Sequence, residues 1–167
     1  MIGNMSEVAA PSHPARYTEA LLPIMARYLT GCARILDPFG GVGGVFKLAA
    51  WLHGAQIEAV EIEPEGAAAD TRITVGNALA LPWASAHFDA ICTSPAYGNR
   101  MADHHEARDA SRRHTYRHAL GRPLSADNAG AMQWGERYRQ FHRLAWAEAL
   151  RVLRPGGIFV LNCKDHV

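Results

Sequence analysis

The chain has 167 residues, an apolar fraction of 49% and a charged fraction of 20%, which is typical of one globular domain with a sizeable core. Its net charge of +1 does not by itself indicate a nucleic-acid partner, and its three cysteines form no CxxC pair, which favours reduced thiols over a disulfide framework. No apolar run reaches membrane-spanning length and no signal-peptide pattern opens the chain, so we expect a cytoplasmic protein.

In chain order, apolar spacing and turn residues predict alternating helices and strands. The predicted helices cover 15–30, 44–54, 64–71 and 136–153. The predicted strands cover 34–37, 56–61, 73–75, 88–93 and 158–163. Pro23 is expected to kink or divide the first helix. This alternation predicts βαβ units and an open α/β fold built on a parallel sheet.

A glycine-rich turn follows the first predicted strand. Asp37 ends this strand, the sequence PFGGVGG occupies 38–44, and a predicted helix comes next. In the order strand, turn and helix, glycines let a ligand approach the backbone closely. The turn lacks a Gly-Lys-Ser/Thr sequence and Asp37 would repel a phosphate. The pattern therefore favours a ligand with an ammonium group and an adenosine, such as S-adenosylmethionine, over a purely structural turn.

The second motif, SPAY at 94–97, follows the predicted buried strand 88–93. The carboxyl end of a strand in an open α/β sheet is where such sheets bind ligands. Pro95 fixes φ and removes a donor, so the Ser94 carbonyl and side chain stay available to accept from an amino group. Tyr97 offers a flat face on which a heterocycle can stack. These features suit methylation of an exocyclic base nitrogen.

Arginine is concentrated in the polar segment 98–135, which we predict to be a loop. The chain has 15 arginines and 2 lysines, and eight of the arginines lie between positions 100 and 139. One interpretation is a lid that engages DNA phosphates through bidentate contacts. The alternative is a solvated loop whose charge is partly cancelled by nearby acids. The histidines of this segment lack paired cysteines or a fixed ligand spacing, so no metal site is expected.

Read in order, these segments resemble the S-adenosylmethionine-dependent DNA methyltransferases that methylate amino groups. The segments that carry the resemblance are 37–43, Glu61, 76–83 and 94–97, together with HPA at 13–15 and RVLRPGG at 151–157. The resemblance covers nearly the whole chain. It implies a class I methyltransferase Rossmann-like fold, an open and mostly parallel sheet that lacks the last two strands in this chain. It also implies one domain over 1–167, with an insertion or lid over 99–135.

The resemblance further implies roles for individual residues. The cofactor S-adenosylmethionine would be bound by His13, Pro14, Asp37, Phe39, Gly41, Gly43, Glu61, Asn77 and Ala78. The flipped target base would be held by the catalytic residues Ser94, Pro95 and Tyr97, because chemistry on a base requires it out of the stack. Contacts with DNA would come from Asn99, Arg100, Arg112, Arg113 and Arg117. The reaction would be direct methyl transfer without a metal.

The chain also departs from the family pattern. Ala96 stands where the family usually has a second proline, and Asn77 where an Asp is common. The family's sixth and seventh strands and a separate recognition domain are missing, so a C-terminal segment or a partner subunit could complete the enzyme. Ser94 favours cytosine N4 over adenine N6 as the target. The alternatives are an RNA or small-molecule methyltransferase, and a cofactor-binding or DNA-binding remnant without activity.

Overall fold

A computed structural model describes residues 18–97 and 120–163. Its helices are a 3-10 helix at Glu19–Leu21, α1 at Leu22–Leu29, a 3-10 helix at Gly44–Ala50, α2 at Pro64–Ala67, a 3-10 helix at Ala129–Ala131, and α3 at Glu136–Val152. Its strands are β1 at Arg34–Asp37, β2 at Gln56–Glu61, β3 at Ile73–Val75, β4 at Phe88–Thr93 and β5 at Leu153–Leu161. None of the helices within these two ranges has the length and apolar character needed to cross a membrane.

The five strands form one sheet in the order β3-β2-β1-β4-β5, and every neighbouring pair is parallel. This arrangement confirms the predicted open α/β fold. The chain runs outward from β1 to β3 on one side and from β4 to β5 on the other. Ligands of open α/β sheets bind where this direction reverses, in the crevice outside the carboxyl ends of the strands. The crevice of this sheet therefore lies beyond the ends of β1 and β4.

Helical segments cover both faces of the sheet. Alternate residues of a strand point to opposite faces, so neighbours in β1 enter different cores. Ile35 packs with residues of α1 and of the 3-10 helix Gly44–Ala50. Leu36 packs with Ile91 of β4 and with the end of α3. Burial on both faces explains why these strands are apolar runs rather than alternating sequences.

Three helices differ from the sequence prediction. The first is divided into the 3-10 helix Glu19–Leu21 and α1, as one of the two expectations for Pro23 had it, and it is not kinked. Pro23 lies in the first turn of α1, where its missing N–H is not needed. The segment predicted as a helix over 44–54 is a 3-10 helix that ends at Ala50, followed by turns up to Gly54, whose φ is +82°. α2 is also shorter than predicted.

The last strand begins earlier than predicted, at Leu153 instead of residue 158. Leu153 pairs with Phe88, and Ile158 pairs with Ala90, so four residues of β5 oppose a single residue of β4. These four residues are the RPGG sequence at 154–157. The chain therefore joins the sheet directly at the end of α3, and the RPGG sequence forms a bulge inside the strand.

Candidate active site

A buried hydrogen bond joins the carboxyl ends of β1 and β4. The Thr93 hydroxyl donates to Asp37 Oδ1 over 2.6 Å, and both residues are fully buried. The Phe39 amide donates to the same oxygen over 2.9 Å. Asp37 thus connects the first residues of the glycine-rich turn to the residue that precedes Ser94. The two motifs found in the sequence meet at the topological switch point.

The glycine-rich turn lies directly against β2. The Gly40 amide donates to the Val60 carbonyl over 2.7 Å, and a Cβ on Gly40 would stand only 2.6 Å from the Ala59 Cβ. At this position glycine is required because the turn approaches β2 too closely for a side chain. Gly43, with φ at +85°, lies in the left-handed region and leads into the 3-10 helix. Gly40 and Gly41 are both buried, so these glycines let the turn pack closely on β2.

Glu61, the last residue of β2, is buried beneath this turn. Its Oε2 accepts from the Gly41 amide over 2.8 Å, and its Oε1 accepts from the Glu63 amide over 2.9 Å. Burial raises the pKa of Glu61 from its ordinary 4.5 to about 7, and the nearby carboxylates of Glu63 and Asp37 add to the rise while the two amide hydrogen bonds oppose it. The carboxyl group thus fixes the glycine turn from below.

The loop after β3 is folded on itself and partly covered. Asn77 Oδ1 accepts from the Leu79 amide over 2.9 Å, and its Nδ2 donates to Asp127 over 3.5 Å. Ala78 is buried and packs in one cluster with Ala129 and residues of α3. The segment that precedes α3 therefore lies over Asn77 and Ala78, two of the residues predicted to bind the cofactor.

A polar network anchors this segment to the exit of β2. The fully buried Glu63 carboxylate accepts from Arg122 Nη2 over 2.8 Å, from the Ser125 amide and hydroxyl over 2.8 and 3.0 Å, and from Asn128 Nδ2 over 2.8 Å. Burial alone would raise the pKa of Glu63, but these donors hold it below its ordinary value. Arg122 also binds Glu65 through two guanidinium nitrogens.

The Ser94–Tyr97 loop leaves the sheet beside β5. Ser94 is half-buried, and no hydrogen bond to its hydroxyl occurs within 18–97 and 120–163. Pro95 is buried and Tyr97 is half-buried. The Tyr97 hydroxyl donates to the Asn162 carbonyl over 3.3 Å. The loop is thus held near the end of β5, while the Ser94 hydroxyl faces no fixed partner in the described structure.

Aromatic side chains of α3 border the site on the other side. The Phe39 ring stacks on His142, with centroids 5.8 Å apart, and meets Trp146 edge-on at 5.6 Å. His142 Nδ1 donates to the Tyr138 carbonyl over 3.0 Å, and burial lowers the pKa of this histidine. The structure therefore turns the Phe39 ring towards α3, while its backbone amide holds Asp37.

Several predicted site residues lie outside the described ranges, and their roles stay predictions. These residues are His13, Pro14, Asn99, Arg100, Arg112, Arg113 and Arg117.

Four residues of the site were missed by the sequence reasoning. The sequence pattern predicts only the end of a strand at Thr93 and a helical core position at Tyr138. Arg122 is one of 15 arginines, and the sequence pattern assigns no role to Glu63. A sequence signal existed for Glu63, because an acid placed just before Pro64 stands at the start of a helix, where carboxylates are favoured.

Comparison with solved structures identifies the fold. The chain is similar to the PH0226 protein of Pyrococcus horikoshii OT3, with a TM-score of 0.58, 20% identity, and coverage of 88% of this chain and 56% of that one. It is similar to a candidate type II methyltransferase from Anaeromyxobacter dehalogenans, with a TM-score of 0.50, 18% identity, and coverage of 90% and 49%. It is also similar to a candidate S-adenosyl-L-methionine-dependent methyltransferase from Methanococcus maripaludis, with a TM-score of 0.50, 13% identity, and coverage of 86% and 56%.

These likenesses show that the fold is the Rossmann-like fold of class I methyltransferases, as the sequence resemblance implied. The chain spans about half the length of these solved proteins. No protein-family model and no curated protein sequence matches it.

Proposed function

We propose that this chain transfers a methyl group from S-adenosylmethionine to the exocyclic amino group of a DNA base, with cytosine N4 favoured over adenine N6. The observation that supports this most strongly is the Asp37–Thr93 hydrogen bond. It brings a bare glycine turn and an SPAY loop to the same crevice, at the switch point of a methyltransferase fold. A cofactor site and an amino-group site are then neighbours.

The residues around the glycine turn fit S-adenosylmethionine. The backbone at Gly40 and Gly41 carries no side chain, and the Asp37 and Glu61 carboxyl groups lie beside it. Each oxygen of Glu61 accepts one amide and has a second lone pair that can accept a ribose hydroxyl. Asn77 would lie beside the adenine ring of the cofactor. When bound, the cofactor supplies an electrophilic methyl group on a sulfonium.

The base side of the proposed site is made by the SPAY loop. The Ser94 hydroxyl and carbonyl accept from the target amino group and draw the nitrogen lone pair out of conjugation with the ring. Pro95 fixes the backbone between them. The Tyr97 ring supports the flipped base by stacking, a contact that every base can make. Most of the rate enhancement then comes from positioning.

The test is methyl transfer from labelled S-adenosylmethionine by the purified chain, with matched DNA and RNA oligonucleotides and mass analysis of the digested nucleosides. We expect N4-methylcytosine in the DNA. Ser94→Ala should lower kcat by about 10²-fold and leave S-adenosylhomocysteine binding unchanged. Gly41→Asp should abolish that binding, since φ at Gly41 is +54° and a side chain there would strain the turn.

Other results would replace the proposal. Methylation of RNA alone, or of neither nucleic acid but of a small amine, would assign a different substrate. A folded chain that binds S-adenosylhomocysteine and transfers no methyl group would be a cofactor-binding remnant.

A further inference from the structure

The backbone of the SPAY loop is restrained unevenly by its own sequence. Pro95 fixes its own φ and keeps Ser94 extended. Ala96 has no such restraint, although its peptide groups connect the two side chains proposed to hold the base. Something outside the loop must therefore set the orientation of the Ala96 carbonyl.

A tyrosine of α3 makes that contact. The Tyr138 hydroxyl donates to the Ala96 carbonyl over 2.9 Å, across 42 positions of sequence. The Tyr138 side chain is buried, and its ring packs on Trp134 and His142 with centroids 5.0 and 4.2 Å away. His142 also donates to the Tyr138 carbonyl. The hydroxyl is thus presented to the loop from a ring fixed on a helix.

Two further hydrogen bonds, both made by Asn162, hold the loop near the end of β5. The Asn162 amide donates to the Thr93 carbonyl over 2.9 Å, and the Asn162 carbonyl accepts from the Tyr97 hydroxyl over 3.3 Å. Asn162 therefore holds the residue before the loop and the side chain of the loop's last residue. The contact from Tyr138 lies between them, at the residue that neither Pro95 nor β5 restrains.

We propose that Tyr138 is a positioning residue whose hydroxyl orients the Ala96 carbonyl and thereby sets Ser94 and Tyr97 for the target amino group. The inference rests on the proposed function. Tyr138 acts through the loop and not on the reacting atoms. Its loss should consequently lower kcat and leave cofactor affinity unchanged.

The experiment compares Tyr138→Phe with Tyr28→Phe in the full chain. Each variant loses one phenol hydroxyl, and Tyr28 is 66% exposed on α1, across the sheet from the loop. We expect Tyr138→Phe to lower kcat by about ten- to a hundredfold, with the affinity for S-adenosylhomocysteine unchanged by calorimetry. Backbone order parameters of Ala96 and Tyr97 should fall from about 0.85 towards about 0.6. Tyr28→Phe should match the wild type in all three measurements.

A second-site variant tests the same idea by restoring the restraint. Ala96→Pro in the Tyr138→Phe background fixes φ at residue 96, and we expect it to recover part of the lost order and of the lost kcat. Equal order parameters in Tyr138→Phe and the wild type would overturn the proposal. Loss of S-adenosylhomocysteine binding in Tyr138→Phe would also overturn it, since the role would then be general packing. If the wild type transfers no methyl group, the proposed function fails, and the order parameters still decide whether Tyr138 positions the loop.

Discussion

Replacement of Glu63 with alanine is expected to destabilise the protein far more than the same replacement of Glu65. The two side chains are chemically identical, lie two residues apart, and both bind the Arg122 guanidinium. They differ in burial and in their other partners. Glu63 is fully buried and also accepts from Ser125 and Asn128, whereas 39% of the Glu65 side chain is exposed.

The expected difference follows from the donors that each carboxylate satisfies. Without Glu63, the buried Asn128 carboxamide loses an acceptor, at about 1–3 kcal/mol, and the half-buried Ser125 amide loses one as well. Removal of one partner from a buried charged network costs about 3–5 kcal/mol in total. An exposed pair such as Glu65–Arg122 contributes at most about 1 kcal/mol. The free energy of unfolding should therefore be lower in Glu63→Ala than in Glu65→Ala by about 2–4 kcal/mol.

Urea unfolding followed by circular dichroism gives the free energy of unfolding of both variants. The slope of this free energy against urea concentration should be the same in both. The pKa of Glu63 lies below its ordinary 4.5, so its contribution is present above that pH and is lost as the pH falls through the folded-state pKa. Glu63→Ala should lack this acid-side loss. Equal unfolding free energies for the two variants at pH 7 would refute the reasoning, because burial and the donors from Ser125 and Asn128 would then contribute nothing.

Three further outcomes test the site. Burial raises the pKa of Glu61 to about 7, so the unfolded chain loses this proton first and the free energy of unfolding falls by about 3 kcal/mol between pH 4.5 and 7. Urea unfolding between pH 4.5 and 7.5 should show a weaker decline in Glu61→Gln. Gly40→Ala should cost about 1–3 kcal/mol because its Cβ would overlap β2. Gly135→Ala has open space around it but replaces the N-cap of α3, so in the same urea unfolding measurements it should cost only about 0.5 kcal/mol. Thr93→Val removes a buried donor to Asp37 and should lower the unfolding free energy by about 1–3 kcal/mol, whereas the exposed Thr74→Val should not.

The sheet could be predicted from the sequence because its signals are local. Apolar runs bounded by turn residues predicted β1 to β4 with their observed limits. The alternation of strands with helices predicted that the strands are parallel. Both motifs were predicted at the ends of strands, where open α/β sheets bind ligands. That β1 and β4 are neighbours is known only from the structure. These inferences need only periodicity and the geometry of the fold class.

The contacts that support the site could not be predicted in this way. Glu63 and Asn128 are 65 positions apart, and Tyr138 and Ala96 are 42 positions apart. Nothing in the local pattern specifies such pairs. The helical spacing of Tyr138 indicates a core position, and its ring is indeed buried. The spacing does not indicate the hydrogen bond that its hydroxyl makes. Likewise, the predicted start of β5 is wrong because a bulge of four residues inside a strand looks like a turn.

The buried acids at this edge of the sheet suggest how its turns are held in place. Asp37, Glu61 and Glu63 each accept from amide groups of a neighbouring turn, and each has lost most of its contact with water. Burial of a carboxyl group is costly, and an apolar core would be more stable. An apolar side chain, however, could fix a turn only by covering it. A carboxyl group fixes the turn through its N–H groups, so the turn is held without an apolar side chain laid over it.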